Sequence, residues 1–373
     1  MNIRRYYMED WLAACKDSSR YNLGESGMPD ISVGELLARC GETPDSLSRL
    51  VLKDHDTRGT ERLRHAILST YESDALFDTI TTTTGTSEAL FILFNLLMGK
   101  RSSVVAPMPS FQALYDVPRA VGADVRLYRL DDENGYLPDP DEVCSLIDDS
   151  TGVVVINTPH NPSGVMIPGD TANAIIQKAA FHGASVLADE HYRFLPFNGC
   201  WPIKTLARPD ENVIATGSIT KCFGVNGLRM GWIIAPVSLI DKIRDFRDYL
   251  THTLSPVSDY CSALALEHAS LFIEPALRVL RKNAEELGDM VNRTPGLSLV
   301  MPEGGIVSFP RFVYTISSDN FARGLMDTYG VFVLPGSSFE VENHIRINLG
   351  QDPGLFCKAL EHIHEFCCQM EQS

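Results

Sequence analysis

The apolar positions change period along the chain. Between about residues 60 and 235, short and nearly continuous apolar runs alternate with longer stretches of helical spacing. The runs are Ser103–Pro107, Asp124–Leu130, Gly152–Thr158, Ser185–Glu190, Asn212–Ser218 and Met230–Ala235. Runs that are apolar at adjacent as well as alternate positions read as strands buried on both faces, as in a parallel sheet. The stretches between them that read as helices are Ser87–Met98, Ser110–Val121, Asp139–Asp148 and Asp170–His182. Strand, crossover helix and strand in repetition predict an α/β domain. Beyond it the pattern shifts. Asp241–Thr253 and Asp259–Glu286 read as long helices, followed by short strands near Leu297–Met301, Gly305–Phe309, Gly330–Leu334 and His344–Asn348. This predicts a smaller α+β domain. The first 45 residues have no sheet pattern of their own and read as an arm and a helix packed on it. The expected division is 46–255 for the large domain, with 1–45 and 256–373 forming the arm and the small domain.

Composition narrows the function classes. The 373 residues hold 32 Lys+Arg against 48 Asp+Glu, a formal charge of −16, with 44% hydrophobic and 21% charged positions. That supports a folded chain with a large core. It argues against nucleic acid, whose phosphates need basic patches, and against an anionic membrane surface. The longest apolar run, near Ala89–Met98, contains Asn95 and falls short of the roughly 20 residues that span a bilayer. Met1–Trp11 is charged and aromatic and lacks a signal-peptide core. The nine cysteines are scattered without a CxxC pair and read as reduced thiols of a cytoplasmic protein; no metal is expected.

The candidate chemistry collects at predicted strand ends, where open parallel sheets bind ligands. Thr84-Gly85-Thr86-Ser87-Glu88-Ala89 ends a threonine-rich run and opens a helix, a place suited to phosphate or to a plain helix cap. Neither a Walker A loop nor a GxGxxG is present. Asn157-Thr158-Pro159-His160-Asn161-Pro162-Ser163-Gly164 makes a sharp turn after a buried run, and a plain turn does not require two asparagines flanking a proline. Asp189-Glu190-His191-Tyr192 places an acid at a buried strand end, which is costly unless it is paired; as a helix cap it would be unremarked. Gly217-Ser218-Ile219-Thr220-Lys221 continues to Gly227-Leu228-Arg229-Met230-Gly231. A lysine among small residues just after a buried strand is a candidate Schiff-base nucleophile rather than a surface charge.

Order and spacing of these motifs together resemble the fold-type I pyridoxal-phosphate enzymes of the class I/II aminotransferase superfamily, from Asn22 to Asn348. The resemblance implies a mostly parallel seven-stranded α/β large domain, a smaller α+β domain, pyridoxal 5'-phosphate as cofactor and a homodimer. It implies that Lys221 holds the cofactor, that Asp189 pairs with its ring nitrogen, and that Tyr192 and Asn161 bond its phenolic oxygen. Gly85, Thr86, Ser87, Ser218 and Arg229 match the phosphate site, and Phe111 the aromatic stacked on the ring. Arg346 matches the clamp for a substrate carboxylate, Asn157 its buttress and Gly27 a glycine lining the substrate pocket. One departure stands out: the segment Lys53–Arg64 lacks the tyrosine that reaches the partner subunit's phosphate in many members.

The superfamily does not fix the reaction. Glu9-Asp10-Trp11-Leu12, Ser32–Leu36, Asp248–Thr251, Leu254–Pro256 and Gly304–Phe312 are similar to stretches of PLP-dependent hydroxyarginine cyclases. That likeness implies cyclodehydration of a 3-hydroxyarginine to capreomycidine or of a 4-hydroxyarginine to enduracididine. Gly24-Glu25-Ser26 and the Tyr192 position depart from the capreomycidine pattern and tilt the expectation to the 4-hydroxy substrate. A guanidinium wants carboxylate partners, and Glu9, Asp10 and Glu25 are the candidates; Glu9 and Asp10 read equally as a solvated or capping pair, and Glu25, two residues before Gly27, is the better placed. The alternatives are an ordinary aminotransferase and a PLP-dependent arginine oxidase. A second acid/base group is sought among His55, His160 and His191.

Overall fold

The computed structural model describes residues 3–71, 74–98 and 102–371. Its centre is a seven-stranded sheet: β1 Ile80–Thr83, β2 Ser103–Met108, β3 Asp124–Arg129, β4 Thr151–Asn157, β5 Ser185–Asp189, β6 Val213–Ser218 and β7 Gly231–Ile234. The spatial order is β1-β7-β6-β5-β4-β2-β3. β2 to β6 run parallel, while β7 is antiparallel to both neighbours. The six apolar runs are therefore six of the strands, and the threonine-rich run is the seventh.

The pleat explains why the runs are continuous. Val104 and Ala106 of β2, with Val153 and Val155 of β4, pack against the helices Gly85–Leu97, Ala113–Ala120 and Val237–Arg247. Val105, Val154 and Ile156 face the other way, onto Val143 and the helix Gly169–Phe181. Alternate residues meet opposite helical layers, so both sets must be apolar. Chain order reverses between β2 and β4, and the crevice beyond their carboxyl ends is the place such sheets offer a ligand.

The C-terminal third is mixed, as the pattern predicts. Ile345–Asn348 pairs antiparallel with Val307–Ser308 and with Leu334–Pro335, and Arg311–Phe312 pairs with Leu297–Ser298. Two expectations are corrected. Asp259–Glu286 is not one helix: Pro256–Glu267 and Ser270–Arg293 are separated at His268, whose φ of −116 and ψ of 30 leave the helix. The first 45 residues do contribute to a sheet, because Tyr21–Asn22 pairs parallel with Val331–Phe332. Two residues are too few to show a period of two in sequence. Ahead of that strand, the helix Tyr7–Cys15 is returned over the carboxyl ends of the large sheet, where Gln112 Oε1 accepts from Tyr7 N (3.1 Å) and its Nε2 donates to Arg5 O (2.8 Å).

Candidate active site

A cavity of about 170 Å³ lies at the carboxyl ends of the parallel strands. Asn157 and Asp189, the last residues of β4 and β5, stand on its wall, and Lys221 follows β6 by three positions. A wider acidic cleft of about 710 Å³ near Asp131 and Glu342 shares no residue with it and contains no lysine.

Asp189 is 4% exposed. Thr216 Oγ1 donates to its Oδ1 (2.9 Å), and Asn157 Nδ2 donates to its Oδ2 (3.3 Å) and carbonyl (3.1 Å). Burial, with some repulsion from Glu190, pushes the carboxyl up to about 6 against those donors. Among the described residues no basic side chain forms an ion pair with it. A protonated ring nitrogen is the kind of group that would supply the missing countercharge.

Lys221 is the one lysine among the residues lining the cavity. Burial, and after it Arg346 and Arg229, lower its amine below the ordinary lysine range, which favours the uncharged form that attacks carbonyl carbon. A Cβ on Gly27 would meet Asn226 Nδ2 at 3.0 Å and Lys221 Cδ at 3.4 Å, so the glycine packs beside the lysine stem. Gly27 itself is behind the wall; Ser26 lines the cavity.

At one end, the helix Gly85–Leu97 opens with Gly85 at φ +76, and Arg229 sits at φ +49. A Cβ on Gly85 would approach Arg229 Nη2 to 3.0 Å, so the guanidinium lies directly over the helix start. Free amides of a first turn and a guanidinium converging on one spot suit a phosphate. Thr86 and Ser87 share this wall. Ser218 does not: its hydroxyl donates to Met230 O (2.8 Å) and accepts from Thr220 N (3.0 Å), and Thr220 lines the cavity instead. A serine that ends a buried strand is drawn to the backbone just ahead of its neighbour, β7, a pull that sequence spacing does not reveal.

At the other end, Arg346 is not on the cavity wall; it is fully buried behind Asn161, which is. Its Nη2 donates to Gly24 O (2.6 Å) and its Nη1 to Asn161 Oδ1 (3.3 Å), while Nε is buried without a partner. Burial lowers it to about 10. Among the described residues no carboxylate lies within ion-pair distance, so the guanidinium is short of an anion. Asn161 also donates its N–H to Asn157 Oδ1 (2.8 Å), which ties the Arg346 end to the Asp189 end. Tyr192 donates to Ser26 O (3.2 Å), and burial pushes its hydroxyl up to about 12. Phe111 closes one side, with Tyr6 edge-on at 5.9 Å.

The N-terminal helix contributes Met8, Glu9 and Leu12 to the wall; sequence reading named only Glu9 of these. Glu25 is not brought in. It pairs with Lys16 Nζ (2.7 Å) and accepts from Asn22 Nδ2 (2.9 Å), outside the cavity. Of the three histidines, His191 alone lines the cavity.

The aminotransferase class I and II family profile matches residues 43–363, and the chain belongs to that family. It is 31% identical to capreomycidine synthase of Streptomyces vinaceus over 343 residues, covering 91% of this chain and 88% of that one. Among solved structures, a PLP-dependent aminotransferase from Streptococcus suis superposes with a TM-score of 0.92 at 26% identity, covering 99% of both chains. The PLP-dependent cyclase OrfR superposes at 0.90 and 24% identity over 99% of this chain and 98% of its own, a likeness of fold. The protein is a PLP-dependent enzyme of the aminotransferase superfamily, and the residues just described fit that cofactor: Asp189 short of a cation, the Gly85–Arg229 cup short of an anion, and Lys221 on the wall of the same cavity.

Proposed function

We propose that the enzyme cyclises a hydroxylated L-arginine, with 4-hydroxyarginine, leading to enduracididine, ahead of 3-hydroxyarginine, leading to capreomycidine. The observation that carries the reading is the 31% identity to a capreomycidine synthase across 91% of the chain. The cavity is compatible with it. Arg346, buried without a carboxylate and joined to the cavity wall through Asn161, would take the substrate's own carboxylate, and Glu9, on that wall, a guanidinium.

The bound cofactor supplies an electron sink at the substrate α-carbon. Lys221, its amine lowered from the ordinary lysine range by burial and its two arginine neighbours, would take the Cα proton. Asn157 and Thr216 fix the carboxyl of Asp189 toward the ring nitrogen. In the net reaction one C–O bond breaks, one C–N bond forms between the guanidine and Cγ (or Cβ), and the hydroxyl and a proton leave as water. Met8 and Leu12 cover the cavity with apolar surface that keeps bulk water from the same carbon. We further propose a homodimer.

A second reading, amino transfer to a 2-oxo acid, rests on the Streptococcus suis aminotransferase, which matches the fold over 99% of the chain. Incubation of the holoenzyme with 3- and 4-hydroxyarginine, with and without a 2-oxo acid, separates them. Loss of one water without a keto product is expected. A strict requirement for the oxo acid would overturn the cyclase reading. Glu9→Gln is expected to raise KM for the hydroxyarginine about tenfold, while Glu25→Gln leaves it unchanged.

A further inference from the structure

The helix that opens the phosphate cup carries an acid in its first turn. Glu88 follows Gly85 by three residues, about 5 Å along the axis. Its side chain folds back on the helix start, where Oε2 accepts from Thr84 N (2.5 Å). That bond fixes the residue ahead of Gly85. It also sets a negative charge close to the place that must receive a phosphate dianion, and like charges shielded from water repel. The opposite charge comes from Arg247, the last residue of the helix Val237–Arg247. Arg247 is fully buried, and Glu88 is its one ion-pair partner among the described residues, with Nε 3.8 Å from Oε2. Nη2 donates to Thr251 Oγ1 (3.3 Å), and that hydroxyl donates to Glu88 Oε1. Nη1 donates to Thr82 O (2.7 Å) and to Thr57 O. The guanidinium thus reaches Glu88 directly and through Thr251, while it holds β1 two residues before Thr84.

We propose that Arg247 is a positioning residue for the cofactor phosphate, acting through Glu88, whose charge it cancels at the helix start. Neither residue lines the cavity, unlike Gly85, Thr86, Ser87 and Arg229. A buried ion pair is a weak source of stability, because taking both ions out of water costs about what their attraction returns. What this pair changes is the field at the first turn. With Arg247 opposite, Glu88 anchors Thr84 N without presenting a net charge to the phosphate. The free amides of Gly85–Ser87 and the Arg229 guanidinium then meet the dianion unopposed.

The inference rests on the cofactor and is independent of whether the substrate cyclises. The experiment strips the holoenzyme of cofactor and titrates back pyridoxal phosphate or phosphate-free pyridoxal, followed by absorbance, with circular dichroism as the check on folding. Arg247→Met is expected to weaken pyridoxal phosphate about tenfold and pyridoxal by less than about threefold, since a bare Glu88 repels the phosphate and not the uncharged hydroxymethyl group. Glu88→Gln keeps an acceptor for Thr84 N and discards the charge. It is expected to bind pyridoxal phosphate about threefold more tightly than the parent, with pyridoxal unchanged. The double variant should return pyridoxal phosphate to within about threefold of the parent. Equal losses for both ligands in Arg247→Met overturn the proposal, since damage to the backbone alone would act on both. So does a double variant as weak as Arg247→Met. If Arg247→Met fails to fold, Glu88→Gln decides: an affinity for pyridoxal phosphate no higher than the parent's overturns the proposal.

Discussion

Asp189 and Arg346 share a condition: each is ionisable, buried and short of a counter-ion from the protein. Such groups cost stability until a ligand supplies the opposite charge. For Asp189 the sign follows from linkage. Its folded-state pKa of about 6 is above the ordinary aspartate value, so between the two the folded protein holds a proton that the unfolded chain has released. The stability tied to that proton is present at low pH and is lost as pH rises through about 6. Asp189→Asn is therefore expected to stabilise the cofactor-free protein by about 1–3 kcal/mol at pH 8 and by little at pH 4. In the holoenzyme the same change should weaken cofactor binding and lower turnover steeply. Thermal melts of both forms at the two pH values test this, and an equal shift at pH 4 and pH 8 would contradict it. Asp189 and Lys221 were legible because each closely follows a buried run, where chemistry-bearing groups meet in this architecture. The choice between Glu9 and Glu25 was not legible. It depends on where the helix Tyr7–Cys15 sets Lys16, which takes Glu25 for itself.

At the scale of elements, continuous apolar runs identified the parallel strands because both faces of the sheet are covered by helices. The same logic fails for Tyr21–Asn22, whose place is decided by Val331–Phe332, some 310 residues away. The helix Gly85–Leu97 shows how an element end becomes a site. Gly85 takes φ +76, a conformation in which an alanine is strained, and its missing side chain leaves Arg229 close above the first turn. Gly85→Ala is expected to cost about 1–2 kcal/mol of stability through the backbone. It should weaken phosphate-bearing cofactor more than that, because the new Cβ displaces the flexible guanidinium that faces the phosphate. Titration with pyridoxal phosphate and with phosphate-free pyridoxal separates the two effects. The variant should bind the phosphorylated form about tenfold more weakly than the parent while binding pyridoxal nearly as well. Equal losses for both ligands would place the damage outside the phosphate cup.

For the molecule as a whole, the −16 charge argues against polyanion partners, and the cations Lys221, Arg229 and Arg346 are local exceptions to it. The described residues contain no helix long and apolar enough to cross a membrane. Among the exposed apolar side chains are two pairs on segments close in space: Val51 and Leu52 before the helix Glu61–Leu68, and Tyr249 and Leu250 after Val237–Arg247. Tyr249 is 92% exposed and Leu52 79%. Buried Arg247 ties the segments together, donating to Thr57 O and to Thr82 O (2.7 Å). Exposed apolar groups held on a rigid frame are costly in water unless something covers them. The proposed homodimer would cover them with the same segments of a second copy, as a two-fold contact requires. It would also bring Lys53–Arg58, the stretch that lacks the expected tyrosine, against the partner. Sedimentation velocity at micromolar concentration is expected to give a dimer for the parent. The double variant Leu52→Asp, Tyr249→Asp should run as a monomer with little change in thermal stability, since neither side chain belongs to the core. A monomeric parent, or a double variant that remains dimeric, would remove these segments from the interface.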